Sequence, residues 1–173
     1  MSGPALNALP ADEAERALLT CCGSRAWARR MTDARPFRDT DDLLERADEI
    51  WWSVDESDWR EAFRSHPRIG ERKAQAGQTG RERAWSAGEQ AGMASAADAT
   101  RDALAEGNRA YEARFGYIYI VCATGRSGDE MLDLLWTRLG NDPATEIRTA
   151  AEEQRRITHI RLQKLLAAYG SDS

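Results

Sequence analysis

The sequence carries little with which to hold a metal ion, build a disulfide framework or cross a membrane. Its 173 residues include two histidines, His66 and His159, and three cysteines, Cys21, Cys22 and Cys122. An odd number of cysteines, two of them adjacent, matches neither a disulfide framework nor a zinc-ligand spacing. No metal site is expected, and a reducing cytoplasm is the expected setting. No apolar run is long enough to span a bilayer, so no membrane partner is expected. Residues 1–10 lack the basic segment and apolar run of a signal peptide. The final residues, Gly170-Ser171-Asp172-Ser173, are not a peroxisomal address. A glycine-rich phosphate loop, an HExxH pair and a nucleophile elbow are all missing. No long stretch is dominated by one sign of charge. The formal net charge is −5, with acidic and basic residues interspersed, which makes nucleic acid an unexpected partner.

What is present points to helices. The length suits one domain over 1–173, with residues 1–10 flexible, and a hydrophobic content of 42% is enough for a core. Ala11 to Cys22 is rich in Ala, Glu and Leu and is stopped by Gly23. Ser24 to Met31 forms a second short piece. Asp39 or Thr40 caps a helix to about Val54, with Leu43, Leu44, Ala47, Ile50 and Trp51 on one face. Ser57 or Asp58 opens another, with Trp59, Ala62 and Phe63 inward. The helical spacing places Trp51 and Trp59 in the core. The glycine-bearing stretch 70–80 reads as a loop and 81–92 as an interrupted helix. A long helix runs from about Ser95 to Arg114. Ser127 and Glu130 form a capping box before Met131, and Gly140 is expected just beyond that helix. Asp142-Pro143 is a cap followed by proline at the first helical position, and the last helix extends to about Tyr169.

The stretch Tyr117 to Ala123 resists this scheme. Its propensity is that of a buried strand, yet no second strand pairs with it. A lone strand leaves its backbone groups unsatisfied. It is therefore a buried extended segment or is made helical by its surroundings. If extended, it can offer N–H groups to a ligand.

Three clusters carry chemistry. His66 stands at a helix exit, because Pro67 disfavours helical geometry before it and has no N–H to donate. A titratable imidazole fixed there suits acid–base work, and a plain helix stop explains it equally. Ser86, Glu89 and Gln90 share one side of a helix and suit a small polar ligand or a solvated face. Arg161 shares a face with Ile147, Ala151, Gln154, Ile157 and Leu165 and should pack inward. A buried arginine needs an anion, from the protein or from a substrate, unless it reaches the core edge. His159 points elsewhere and is expected to be exposed and inert. Nothing around Cys122 marks it as a nucleophile. A cofactor-independent acid–base enzyme is one reading of these clusters, and a helical interaction module is the other.

Several segments taken in order resemble one family. They are Ser65-His66-Pro67-Arg68-Ile69-Gly70-Glu71, Ser86-Ala87-Gly88-Glu89-Gln90-Ala91-Gly92, and Asn108 with Tyr111. Further along come Arg114-Phe115-Gly116-Tyr117, Tyr119-Ile120-Val121-Cys122-Ala123, Arg138-Leu139 with Asn141, and Ile157-Thr158 with Ile160-Arg161-Leu162. Each is weak alone. Together they look like the OHCU decarboxylases, which act on 2-oxo-4-hydroxy-4-carboxy-5-ureidoimidazoline. The resemblance implies an all-α, single-domain multi-helix bundle that decarboxylates OHCU to (S)-allantoin in urate breakdown. It implies no cofactor, often a homodimer, and functional coupling to the upstream urate-pathway enzymes. The family's catalytic histidine falls on His66 and its active-site glutamate on Glu89. Its substrate contacts fall on Pro67, on the segment Ser86, Ala87, Gly88, Glu89 and Gln90, on Arg161, and on the backbone of Tyr119, Ile120, Val121, Cys122 and Ala123. The family often has Phe near positions 117 and 119, where this chain has Tyr, and no catalytic group is lost by that difference.

Overall fold

A computed structural model describes residues 3–68 and 98–171. Among them are seven α-helices, a short 3-10 turn and no strand, so the expected all-α class holds. The helices are α1 (Ala11–Cys21), α2 (Arg25–Asp33), α3 (Thr40–Ser53), α4 (Glu56–Arg64), α5 (Asp98–Phe115), α6 (Gly128–Leu139) and α7 (Pro143–Ser171). The expected loop 70–80 and helix 81–92 lie outside the described residues.

The helix starts follow the capping residues read from the sequence. The side chains of Ser24, Asp39 and Ser127 accept from the N–H groups of Trp27, Asp42 and Glu130. Asp142 accepts from Thr145 N–H at 3.1 Å ahead of Pro143. Each satisfies one donor that the first helical turn leaves unpaired. Gly140 lies just beyond α6 as expected, with φ −83°. Its N–H bonds Thr137 O and the next N–H bonds Arg138 O, so a tight right-handed turn closes α6. Gly116, directly after α5, is left-handed at φ 86°, as is Gly125 at φ 79°.

The chain divides into two compact units, Met1–Ala62 with Arg155–Ser173, and Phe63–Gln154. In the first, α1 packs on α2 and α2 on α3. Leu18, Trp27, Met31, Leu43 and Leu165 are fully buried there, and Trp51 and Trp59 join them as their spacing predicts. Leu6 is also fully buried, and Asn7 exchanges two 2.8 Å hydrogen bonds with the backbone of Phe37. Arg35 also donates to the carbonyls of Leu6 and Leu9, at 2.8 and 2.7 Å.

In the second unit, α5 packs on α6. Gly107 permits the approach, since a Cβ there would lie 2.4 Å from Leu135 Cδ2. An aromatic cluster fills the core. The Tyr111 ring lies 4.7 Å from Phe115 and 5.5 Å from Tyr119, and Tyr117 lies 5.3 Å from Phe63. Edge and tilted contacts of this kind suit the aromatic quadrupole.

Candidate active site

The second unit contains His66, Pro67 and the segment 119–123, and the first contains Arg161. Helix α4 ends at Arg64, and His66 N–H closes a last turn onto Phe63 O at 3.2 Å. Pro67 then turns the chain away from helix, as its chemistry requires. The exit is pinned one residue later. Arg68 forks onto both carboxylate oxygens of Glu112 on α5, at 2.9 Å each, in the planar geometry that arginine favours. The imidazole itself is buried, and its Nε2 lies 2.6 Å from Gln154 Oε1 on α7. His66 is therefore more than a helix stop: backbone, proline and amide partner all fix where the ring stands.

The segment that resisted the helical scheme is not helical and is buried from Tyr119 through Ala123. Side chains stand in for the missing neighbouring strand. Asn108 accepts from Tyr119 N–H at 3.0 Å, and Glu153 from Cys122 N–H at 3.4 Å. Arg138 Nη1 donates to Ile120 O at 2.7 Å, and Tyr119 Oη donates to Met131 O at 2.9 Å. The first three satisfy buried backbone groups of the segment that would otherwise lose their water without compensation, and the fourth satisfies the Tyr119 hydroxyl.

The charged centre behind this segment is Arg138 with Glu146. The guanidinium Nε and Nη2 both reach Glu146 Oε2, at 2.8 and 2.6 Å. Tyr111 donates its hydroxyl to the same oxygen, and Asn141 gives the other oxygen a 3.0 Å bond. The guanidinium also lies over the Tyr119 ring, 4.7 Å from its centroid. Burial pushes the Tyr119 phenol up to about 12, although the Arg138 charge opposes it. Burial drives Tyr111 still further above the phenol range, helped by its bond to Glu146. Both phenols stay neutral donors at physiological pH, so neither serves as a base. Arg126 pairs with Glu153 at 2.5 Å beside the same segment.

Helix α7 joins these features. Glu153 takes the Cys122 N–H and its neighbour Gln154 meets His66. One turn of helix thus positions both the histidine and the buried segment 119–123. The sequence placed Gln154 on the inward face but gave no sign of its partner. Asn108, Arg138, Glu146, Glu153 and Arg126 were not read as supports of the segment either. Their signal was available in principle: an extended run without a strand partner must take its hydrogen bonds from polar side chains.

Arg161 is buried as expected, at 3% exposure. Cys22, in the same unit, feels its positive charge and bonds to Thr158, yet burial dominates and pushes the thiol up to about 11. Cys21, Cys22 and Cys122 are all buried. His159 corrects the expectation of an exposed, inert ring. It is half-buried, and its Nε2 lies 2.6 Å from Asp48 Oδ1 on α3, with Arg155 reaching the other oxygen at 3.4 Å. A carboxylate from a different helix decided its environment, which helical spacing alone does not reveal. Ser86, Ala87, Gly88, Glu89 and Gln90 lie outside the described residues. Among the described residues no cluster of His, Cys, Asp or Glu fits a metal ion, and no helix is long and apolar enough to cross a membrane.

Comparison with known proteins places this arrangement. The sequence model of the OHCU decarboxylase family matches residues 7–163. The chain is 35% identical over 148 residues to the uric acid degradation bifunctional protein TTL of Arabidopsis thaliana, covering 85% of this chain and 45% of that protein. It thus spans less than half of that relative. It is 35% identical over 136 residues to the 2-oxo-4-hydroxy-4-carboxy-5-ureidoimidazoline decarboxylase of Amia calva, covering 76% of this chain and 75% of that one. A crystal structure of an OHCU decarboxylase in the presence of (S)-allantoin superposes with a TM-score of 0.72 at 35% identity, over 86% of this chain and 96% of that one.

Proposed function

The chain belongs to the OHCU decarboxylase family, and from that premise we propose that it is a carboxy-lyase converting OHCU to (S)-allantoin and CO₂ in urate breakdown. The observation that carries the reading is the family match over residues 7–163, which takes in His66, Glu89 and Arg161. The match runs through both compact units.

The chemistry suits a site without an organic cofactor. Decarboxylation breaks the bond between the hydroxyl-bearing ring carbon and its carboxylate. The electron pair moves toward the adjoining carbon, and the ring C=N absorbs the displaced pair, so the substrate is its own electron sink. The ring nitrogen that took the pair gains a proton, and another reaches the carbon that bears the ureido group. The hydroxyl-bearing carbon becomes a carbonyl as its hydroxyl proton leaves. One proton is taken up for each carboxylate lost as CO₂. The protein must hold the carboxylate, steady the developing charge and deliver the proton to one face.

In this proposal His66 moves the proton, and its burial and fixed ring support that role. Glu89 hydrogen-bonds the substrate and sets its protonation, a role carried by the resemblance alone. Arg161, Ser86 and Gln90 hold the polar edges of the substrate, with Ala87 and Gly88 in the same segment. Pro67 and the backbone of residues 119–123 contact the ring or the ureido group. The buried guanidinium of Arg161 supports an anion-binding role. The proposal includes a homodimer in the cytoplasm, coupled in function to the upstream enzymes that make OHCU.

The test follows circular dichroism while the protein acts on OHCU freshly generated from urate. OHCU also decays unaided, so its disappearance alone decides nothing. The expected result is faster decay that accumulates optically active (S)-allantoin. Decay at the background rate to racemic product, with folded protein present, overturns the proposal.

A further inference from the structure

The contact between His66 and Gln154 assigns more than a position to the ring. An amide oxygen accepts and never donates, so a hydrogen bond across the 2.6 Å between His66 Nε2 and Gln154 Oε1 requires the hydrogen on Nε2. This holds for the neutral imidazole and for the imidazolium alike. The two side chains are 6% and 0% exposed, so bulk water does not compete for the bond. Both partners are held by their own surroundings. Gln154 leaves the middle of α7, between the buried residues Ala150, Ala151 and Ile157. His66 is held by its bond to Phe63 O and by the Arg68–Glu112 fork two residues on.

We propose that Gln154 is a positioning residue that keeps His66 in its Nε2–H tautomer, so that the proton His66 exchanges with substrate is carried on Nδ1. The second half rests on the decarboxylase reading, and the first half does not. A neutral acceptor at this place is chemically apt. A carboxylate there would favour the imidazolium, whereas a proton-transfer group must pass through both states. The amide orients the ring without fixing its charge. The turn of α7 that does this also carries Glu153, which binds Cys122 N–H and pairs with Arg126. The ring and the buried segment 119–123 are thereby set from one rigid element, the arrangement that a stereospecific proton delivery requires.

The experiment is long-range proton–nitrogen NMR on the uniformly nitrogen-15-labelled full chain. With two histidines in the chain, a His159→Gln variant assigns the resonances. The neutral His66 ring is expected to show a protonated Nε2 and a lone-pair Nδ1. Gln154→Leu removes the acceptor and is expected to give a mixture of tautomers. Its kcat for OHCU should fall by roughly 10²-fold while KM changes little, as for a misplaced catalytic group. Gln154→Glu keeps an acceptor and should retain the Nε2–H signature. A wild-type ring protonated on Nδ1 overturns the proposal, because the amide would then be donating to Nε2. Unchanged kcat in Gln154→Leu overturns it as well. If Gln154→Leu does not fold, the wild-type and Gln154→Glu spectra still decide. The spectra need no substrate, so a protein that shows the expected tautomer but does not decarboxylate OHCU defeats the proposed function and leaves the tautomer assignment standing.

Discussion

Arg138 and Glu146 form a buried ion pair at 2.6 Å, their side chains 6% and 0% exposed, and the same guanidinium holds the carbonyl of Ile120 at 2.7 Å. The pair therefore ties α6 and α7 to a buried segment that has no helix of its own. Burial alone would weaken the guanidinium's hold on its proton. The Glu146 hydrogen bond and the nearby oxygens overcome this and raise its affinity instead.

Breaking this pair from one side should be costly. Glu146→Leu strands a buried guanidinium, a loss of about 3–5 kcal/mol. Urea denaturation followed by circular dichroism measures it. The double variant Arg138→Met/Glu146→Leu should lose less than the sum of the two single changes, since it leaves no unpaired charge. Strict additivity would show that the two charges do not stabilise each other.

His66→Asn should keep the fold and lose roughly 10²–10⁴-fold in kcat, the usual worth of a positioned proton-transfer group. Turnover of fresh OHCU and the far-ultraviolet spectrum, taken on the same sample, separate chemistry from folding. Near wild-type turnover would remove His66 from the mechanism.

Arg161→Lys keeps a charge and loses the planar fork. Hydrogen bonds to charged groups are worth about 1.5–3 kcal/mol, so KM for OHCU should rise roughly ten-fold or more. Thermal unfolding should move by only a few degrees. Unchanged kinetics would make Arg161 a purely structural cation.

Stability should decline as pH rises from about 9 to about 11. Burial holds the Cys22 thiol up to about 11 against an ordinary value of 9.0. Over that window the unfolded chain has released this proton and the folded chain has kept it, so ionisation favours unfolding. A shift of two units is worth about 3 kcal/mol at most. Tyr119, pushed up to about 12, adds a loss of the same sign above its ordinary value of 10.0. Denaturant midpoints from pH 8 to 10.5 should fall, and Cys22→Ala should flatten the slope at its lower end. An equal slope in that variant would place the effect elsewhere.

The half-buried contact of His159 with Asp48 should matter far less. Asp48→Asn should cost about 1 kcal/mol or less by denaturation and leave OHCU turnover unchanged. A large loss of activity would bring this cluster into the site.

Helix starts were legible because they depend on neighbours in sequence. Ser24, Asp39, Ser127 and Asp142 cap where a short polar side chain precedes an apolar repeat, and the capping bond closes within three residues. The inward faces of α3 and α7 were legible for the same reason, since spacings of three and four are a property of the helix alone. Even the segment 119–123 announced that its backbone needed partners. The sequence by itself thus determined the helical class, the stop at His66-Pro67 and, through a set of ordered motifs, the family. Tertiary structure alone decided who meets whom across long separations. His66 finds Gln154 after 88 residues, Asp48 finds His159 after 111, and Asn108 and Glu153 supply what a neighbouring strand would have given. The reason is physical. A cap or an amphipathic face is fixed by local geometry, whereas the partner of a buried polar group is whichever side chain the packing of distant elements brings within 3 Å.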